Sequence, residues 1–259
     1  MKWVICTAML NLIFLGLAAC LPSPTSLPPE PTFTRMLPTE TPTATIVWFP
    51  PTATFTPLPS ATLSLTTTID TSPQYGALIL QDDFSQASSW ELSKTPTGSI
   101  ALGKSELSLG VSQSEGYLHS LHNGLILDDF YLEISASPSI CRGKDEYGLL
   151  LRVSPDEDFY RFGLNCDGEA RLDRYLAGQA SSPHPPSPFG VIPPGAPSVS
   201  RIAIWAMGRD LRFYVNGEFL FSLRDSSLPS GGLGVYVRAG GPDPMTVNFS
   251  DLKLYEALP

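Results

Sequence analysis

An all-β domain standing behind a proline- and threonine-rich tract is the fold class that this 259-residue sequence predicts. Three observations predict it. Beyond residue 75 the chain breaks into short β-branched and aromatic runs, with Gly, Pro, Asn or Asp recurring about every ten residues. No stretch there carries a persuasive helical period of apolar residues. Asn216-Gly217, a pair tolerant of the positive φ that a type I′ turn requires, stands between LRFYV and EFLFSL. The chain divides accordingly into a leader (1–19), a tract (20–75) and a domain (76–259).

In the leader, Lys2 precedes an apolar run from Trp3 to Leu17 and then small residues, the order of a secretory signal peptide. The run falls short of the roughly 20 apolar residues that a bilayer span needs. Leu17-Ala18-Ala19-Cys20 resembles the bacterial lipobox, which implies cleavage before Cys20 and a diacylglycerol on its sulfur. Two acyl chains, at about 0.8 kcal/mol per buried methylene, hold a protein durably at a membrane surface. The expected location is the outer face of the cell membrane, with the domain extracellular and the membrane met only through the anchor. From Leu21 to Tyr75 about half the residues are Pro or Thr. Proline removes backbone donors and fixes φ, and Trp48, Phe49 and Phe55 follow no period that would build a face. The composition is that of a disordered linker in extended polyproline II, whose contour at about 3 Å per residue could exceed roughly 100 Å.

Residues 76–259 carry 14 Lys and Arg against 22 Asp and Glu, a net charge of −8. That balance excludes a nucleic-acid partner, which calls for a basic footprint. The expected strands, each a β-branched or aromatic run closed by turn residues, follow in order. They are ALILQDDF (77–84), SIALGKSELSLGV (99–111), DFYLEISASP (129–138), YGLLLRV (147–153), FYRFGLN (159–165) and EARLDRYL (169–176). After the proline loop SSPHPPSPFGVIPPG come SRIAIWAMG (200–208), LRFYVNGEFLFSL (211–223), GLGVYVRAG (232–240) and TVNFSDLKLYE (246–256). A two-residue turn at Asn216-Gly217 sets Tyr214 across from Phe219. A second hairpin joins YGLLLRV to FYRFGLN through SPDED (154–158), and its open end brings Cys141 and Cys166 together. With Cys6 in the leader and Cys20 at the lipobox, an exported domain pairs these two as a disulfide, worth about 3 kcal/mol in the chain-entropy model. No further Cys or His stands at ligand spacing for a metal pair.

The phrases DDFSQASSWEL, YGLLLRVSPDEDFYRFGLNCDGEARLDRY and LRFYVNGEFLFSLRDSSLPSGGLGVYV followed by VNFSDLKLYE resemble concanavalin A-like lectin/glucanase domains. The likeness is to their laminin-G-like and 3-keto-disaccharide hydrolase-like branch, found in bacterial surface lipoproteins. It runs from Leu80 to Glu256 and is carried by pattern rather than by an invariant motif. It implies a two-sheet jelly-roll sandwich with the first and last strands side by side and one sheet concave. The scaffold hosts lectins, hydrolases and plain interaction modules, so function has to be read from the site.

A glycosidase needs two carboxylates flanking the bond. The glucanase run Glu-x-Asp-x-x-Glu is absent, and Asp82-Asp83, Asp128-Asp129 and Asp156-Glu157-Asp158 are neighbours that point to opposite faces of a strand. His119 and His122, three apart on a strand, likewise diverge, and His184 lies in the proline loop. No nucleophile elbow, P-loop or dinucleotide fingerprint appears. For a structural calcium, the carboxylates of Asp82 or Asp83 on the first strand could meet Asp251 on the last. Sugar binding needs aromatic platforms beside polar groups. Tyr160, Arg174, Trp205, Arg212 and Tyr236 belong to that pool, about half of it expected in the core. Alternation puts Phe159, Arg161 and Gly163 on one face of their strand, and Arg171, Asp173 and Tyr175 on one face of the next. Arg161, Arg171, Asp173, Tyr175 and Tyr214 are therefore the expected ligand-binding residues, and no catalytic set is expected. The reading is a monomeric surface lipoprotein that displays a carbohydrate- or wall-binding module. The alternatives are a glycoside hydrolase of the 3-keto-disaccharide type and a structural module of the envelope.

Overall fold

The computed structural model describes residues 71–259; the leader, Cys20 and most of the tract lie outside the described residues. Those residues form fifteen strands and no α-helix, and none of them builds a helix long and apolar enough to cross a membrane. In chain order the strands are β1 (Tyr75–Asp82), β2 (Ser93–Thr95), β3 (Gly98–Leu102), β4 (Leu107–Val111), β5 (Tyr117–Leu121), β6 (Phe130–Ile140) and β7 (Glu146–Val153). Then follow β8 (Phe159–Asn165), β9 (Glu169–Leu176), β10 (Gln179–Pro188), β11 (Ser200–Met207), β12 (Asp210–Val215), β13 (Glu218–Arg224), β14 (Gly232–Arg238) and β15 (Met245–Ala257).

They make two antiparallel sheets. The larger runs β13-β12-β11-β6-β15-β4-β3-β2, and β15 divides one of its edges between β4 over Met245–Phe249 and β1 over Leu252–Ala257. The smaller runs β10-β9-β8-β7-β14-β5. First and last strands thus lie side by side in a two-sheet jelly-roll sandwich, as expected. The period of two decides the inside: Leu149 and Leu151, then Phe162 and Leu164, then Val235 and Val237 face Leu132, Ile134, Ile204, Phe213, Val247 and Phe249 from the other sheet, all essentially inaccessible. Phe162 and Phe213 stack across the gap with ring centroids 4.8 Å apart. Truncating either ring removes about 3 to 5 kcal/mol of packing.

The hairpins form as predicted. Tyr214 stands opposite Phe219 with edge-on rings 5.6 Å apart, and Asn216 and Gly217 both have positive φ. Cys141 and Cys166 are bonded at the open end of the β7–β8 pair, with Cα atoms 6.0 Å apart. Two expectations need correction. The run 99–111 is a hairpin, β3 and β4, turned by a Gly103 N–H to Glu106 carbonyl bond of 2.7 Å. The proline segment 179–188 is no loop but β10, the outermost strand of the small sheet. Prolines are tolerated there because one side of an edge strand has no ladder to feed, and the register slips on both sides of His184. The His184 ring stacks on Phe221 of β13 at 3.7 Å, which joins the edge of one sheet to the edge of the other.

A candidate binding hollow on the smaller sheet

The residues that alternate away from the core on β7, β8, β9 and β14 do not simply face water. On this outer face Glu146, Leu150, Arg161, Asp173 and Tyr236 are all buried. A cross-strand pair of glycines, Gly148 opposite Gly163, lets larger neighbours close over the sheet. A methyl group at Gly163 would stand 2.2 Å from the Tyr236 hydroxyl and 2.6 Å from Glu146 Oε1, so only hydrogen fits.

Arg161 is the centre of the arrangement. Its Nη2 donates to Asp173 Oδ2 at 2.7 Å, and its Nε lies 3.8 Å from Glu146 Oε1. Its guanidinium lies 5.0 Å from the Tyr175 ring centroid and 5.5 Å from that of Tyr236, within cation–π range of both. Arg171 bridges the same two acids, reaching Asp173 Oδ1 at 2.6 Å and Glu146 Oε2 at 3.8 Å. The Ser182 hydroxyl of β10 donates to Asp173, and the Tyr236 hydroxyl donates to Glu146. Two guanidinium groups and two carboxylates cancel in formal charge. Burial alone would raise the Asp173 carboxyl, but hydrogen bonds from Arg171, Ser182 and Arg161 outweigh it and hold it below the usual carboxylate range. Burial and the neighbouring Glu146 push the Tyr236 hydroxyl far up, so it remains a donor.

Beside this network opens a hollow of about 510 Å³. Leu150 contributes to its base, Tyr117, His119 and Leu121 of β5 form one wall, and Phe159 and Tyr175 form the other. Ser154, Pro155 and Glu157 of the β7–β8 turn close one end. Phe159 and Tyr175 stack at 4.6 Å, while Tyr117 is 38% exposed, with its ring tilted against those of His119 at 5.6 Å and Tyr236 at 5.8 Å. Burial pushes the Tyr117 hydroxyl up to about 12. The walls therefore offer flat apolar rings, with imidazole, hydroxyl and carboxylate groups at the margin, over an apolar base at Leu150, while the charges of the adjoining network are matched among themselves.

Arg161, Arg171, Asp173 and Tyr175 are brought together here, on the face that alternation predicts. Tyr214 is not: it lies on β12 of the other sheet, packed with Tyr131, Ala203 and Trp205. Trp205 and Arg212 share that distant face, where the guanidinium sits 4.3 Å over the indole. Tyr160 points into the core, and Arg174 pairs with Asp225 at 2.6 Å on the reverse side of β9. Tyr117, Leu150 and Glu146 join the site unannounced, beside Phe159, which alternation puts on the Arg161 face; their shared face follows from sheet order, and only the period of two on each strand could have hinted at it. The three aspartates proposed for calcium do not gather. Asp82 Oδ1 accepts the Phe84 amide at 2.7 Å and its Oδ2 accepts the Trp90 indole at 2.8 Å, while Asp83 accepts the Ser85 amide at 3.1 Å. Asp251 sits exposed on β15, and among the described residues no group of three or more His, Cys, Asp or Glu could hold a metal ion.

A two-sheet sandwich with its terminal strands paired defines a jelly roll of the concanavalin A-like class. Within that class the chain is similar to the carbohydrate-binding module CBM66 of Bacillus subtilis, at 16% identity and a TM-score of 0.53, over 65% of this chain and 96% of that one. It is similar also to the catalytic domain of an endo-1,3-beta-glucanase (laminarinase) of Thermotoga petrophila, at 12% identity and 0.52, over 72% and 100%. A Bacillus subtilis protein with a galectin-like fold matches at 14% identity and 0.51, over 72% and 99%. No protein-family model and no curated protein matches the sequence. At these identities the likeness speaks for the fold.

Proposed function

We propose that this chain is a lipid-anchored surface protein whose jelly-roll domain binds a neutral glycan in the hollow between β5 and β9. The observation that carries the reading is the pairing of partly exposed aromatic walls, Tyr117 across from Phe159 and Tyr175, with an adjoining network whose charges are matched. Sugar rings present apolar faces to aromatic planes and hydroxyls to the groups between them, and an adjoining network with no surplus charge gives an anionic sugar no advantage. Neighbours named as a carbohydrate-binding module and as a laminarinase use the same architecture, which supports a glycan as the ligand. Glycoside hydrolysis is the second reading, since Glu146 and Asp173 share this face. A hydrolase needs both carboxyl groups free to reach the glycosidic bond, and these two are buried and engaged by Arg161 and Arg171, so binding is preferred.

The test uses the full chain, purified in detergent, on neutral and acidic wall polysaccharides, beside Tyr117→Ala and Tyr175→Ala. We expect saturable binding to a neutral polymer, weakened about tenfold or more by either substitution, with no release of sugar. Binding unchanged by both substitutions, or turnover of the polymer, would overturn the reading. In the producing cell, Cys20→Ser should move the protein from the membrane fraction to the medium; retention in the membrane would remove the anchor from the proposal.

A further inference from the structure

The outer face of the larger sheet carries a second cluster of buried apolar side chains, Tyr131, Ala203, Trp205 and Tyr214, with Tyr255 packed against it. Its cover is the chain's own Thr-Ser-Pro-Gln-Tyr segment, residues 71–75. The Tyr214 hydroxyl donates to the Thr71 carbonyl at 2.6 Å, and the Trp205 indole donates to the Gln74 carbonyl at 3.1 Å. The Leu258 amide donates to the same Gln74 carbonyl at 2.9 Å. Tyr75 stacks on Tyr131 at 4.4 Å, and Pro73 lines a recess of about 270 Å³ beside Tyr131, Tyr214 and Asn216. The two carbonyls read by side chains stand three residues apart. Three residues is the repeat of polyproline II, so both carbonyls come to the same side of an extended strand. Aromatic planes for a proline, with indole and phenol donors for backbone carbonyls, are how proline-bearing peptides are recognised in general.

We propose that this face is a clamp that recognises the root of the tract as an extended proline peptide and fixes where the tract leaves the domain. The clamp lies on the sheet opposite the hollow, so the hollow is turned away from the point of attachment. Nothing in this depends on what the hollow binds.

The experiment is limited proteolysis of the full chain with a protease of broad specificity, following by mass the N-terminus of the surviving core. The wild type should be trimmed up to Thr71 and there resist. Tyr214→Phe keeps the ring and removes the hydrogen bond to Thr71, and should speed cleavage within 71–75 about fivefold; Trp205→Phe should do likewise, and both together multiply. The melting temperature of the remaining domain serves as the control for folding. If the Trp205 variant does not fold, Tyr214→Phe alone decides. Equal cleavage rates in Tyr214→Phe and wild type, at whatever position, would overturn the proposal.

Discussion

His184 illustrates how a single side chain can set a pH dependence. Its ring lies against Phe221 with Nε2 buried and without a hydrogen bond, and burial lowers its pKa from the ordinary histidine value. A group whose folded pKa is depressed releases its proton on folding, so its contribution to stability is present above the unfolded value of about 6.5 and is lost as pH falls through the folded value. Urea midpoints should therefore decline from pH 7 towards pH 5, and His184→Phe, which keeps the stack, should flatten that decline. A variant with the same slope as wild type would place the effect elsewhere. Nothing in the sequence marks this role, because His184 sits among four prolines and its partner Phe221 is on a strand of the other sheet.

Among the elements, the β8–β9 pair is the part of the site most legible in advance. FYRFGLN and EARLDRYL alternate cleanly, and the strands occupy the residues that the alternation marks, which puts Arg161 with Asp173 and Tyr175. The opposite wall was hidden for a physical reason. Tyr117 on β5 and Glu146 on β7 come near through β14, which is more than 75 residues further along the chain, and local periodicity does not encode that order. Proline misled at β10, where the absence of one ladder removes its usual cost. The Cys141–Cys166 bond braces the β7–β8 hairpin across a separation of 25 residues. Replacing both cysteines by serine should lower the unfolding free energy by about 3 kcal/mol. Denaturant titration checks this, and a loss under 1 kcal/mol would show that the hairpin holds itself.

For the whole molecule, acid should be the effective denaturant. Besides Asp173, burial would raise Asp225, but Ser227 and Arg174 hydrogen bonds hold it lower. Both carboxylates stabilise the fold above their unfolded value of about 3.9, and that contribution disappears as pH drops through their lower folded values. A steep loss of stability below pH 4 should thus persist in His184→Phe, and a flat profile down to pH 2 would contradict it. The architecture also has a mechanical side. A pull through the tract enters at Tyr75, which stands opposite Ala257 at the very end of the β1–β15 ladder. Rungs loaded from one end part singly and share no burden, so such a ladder is a weak fastening against tension. Tyr214 and Trp205 hold the chain before the first rung. Drag on the domain would therefore be met at the back of the larger sheet, and the seam between the first and last strands would stay closed until that grip gave way.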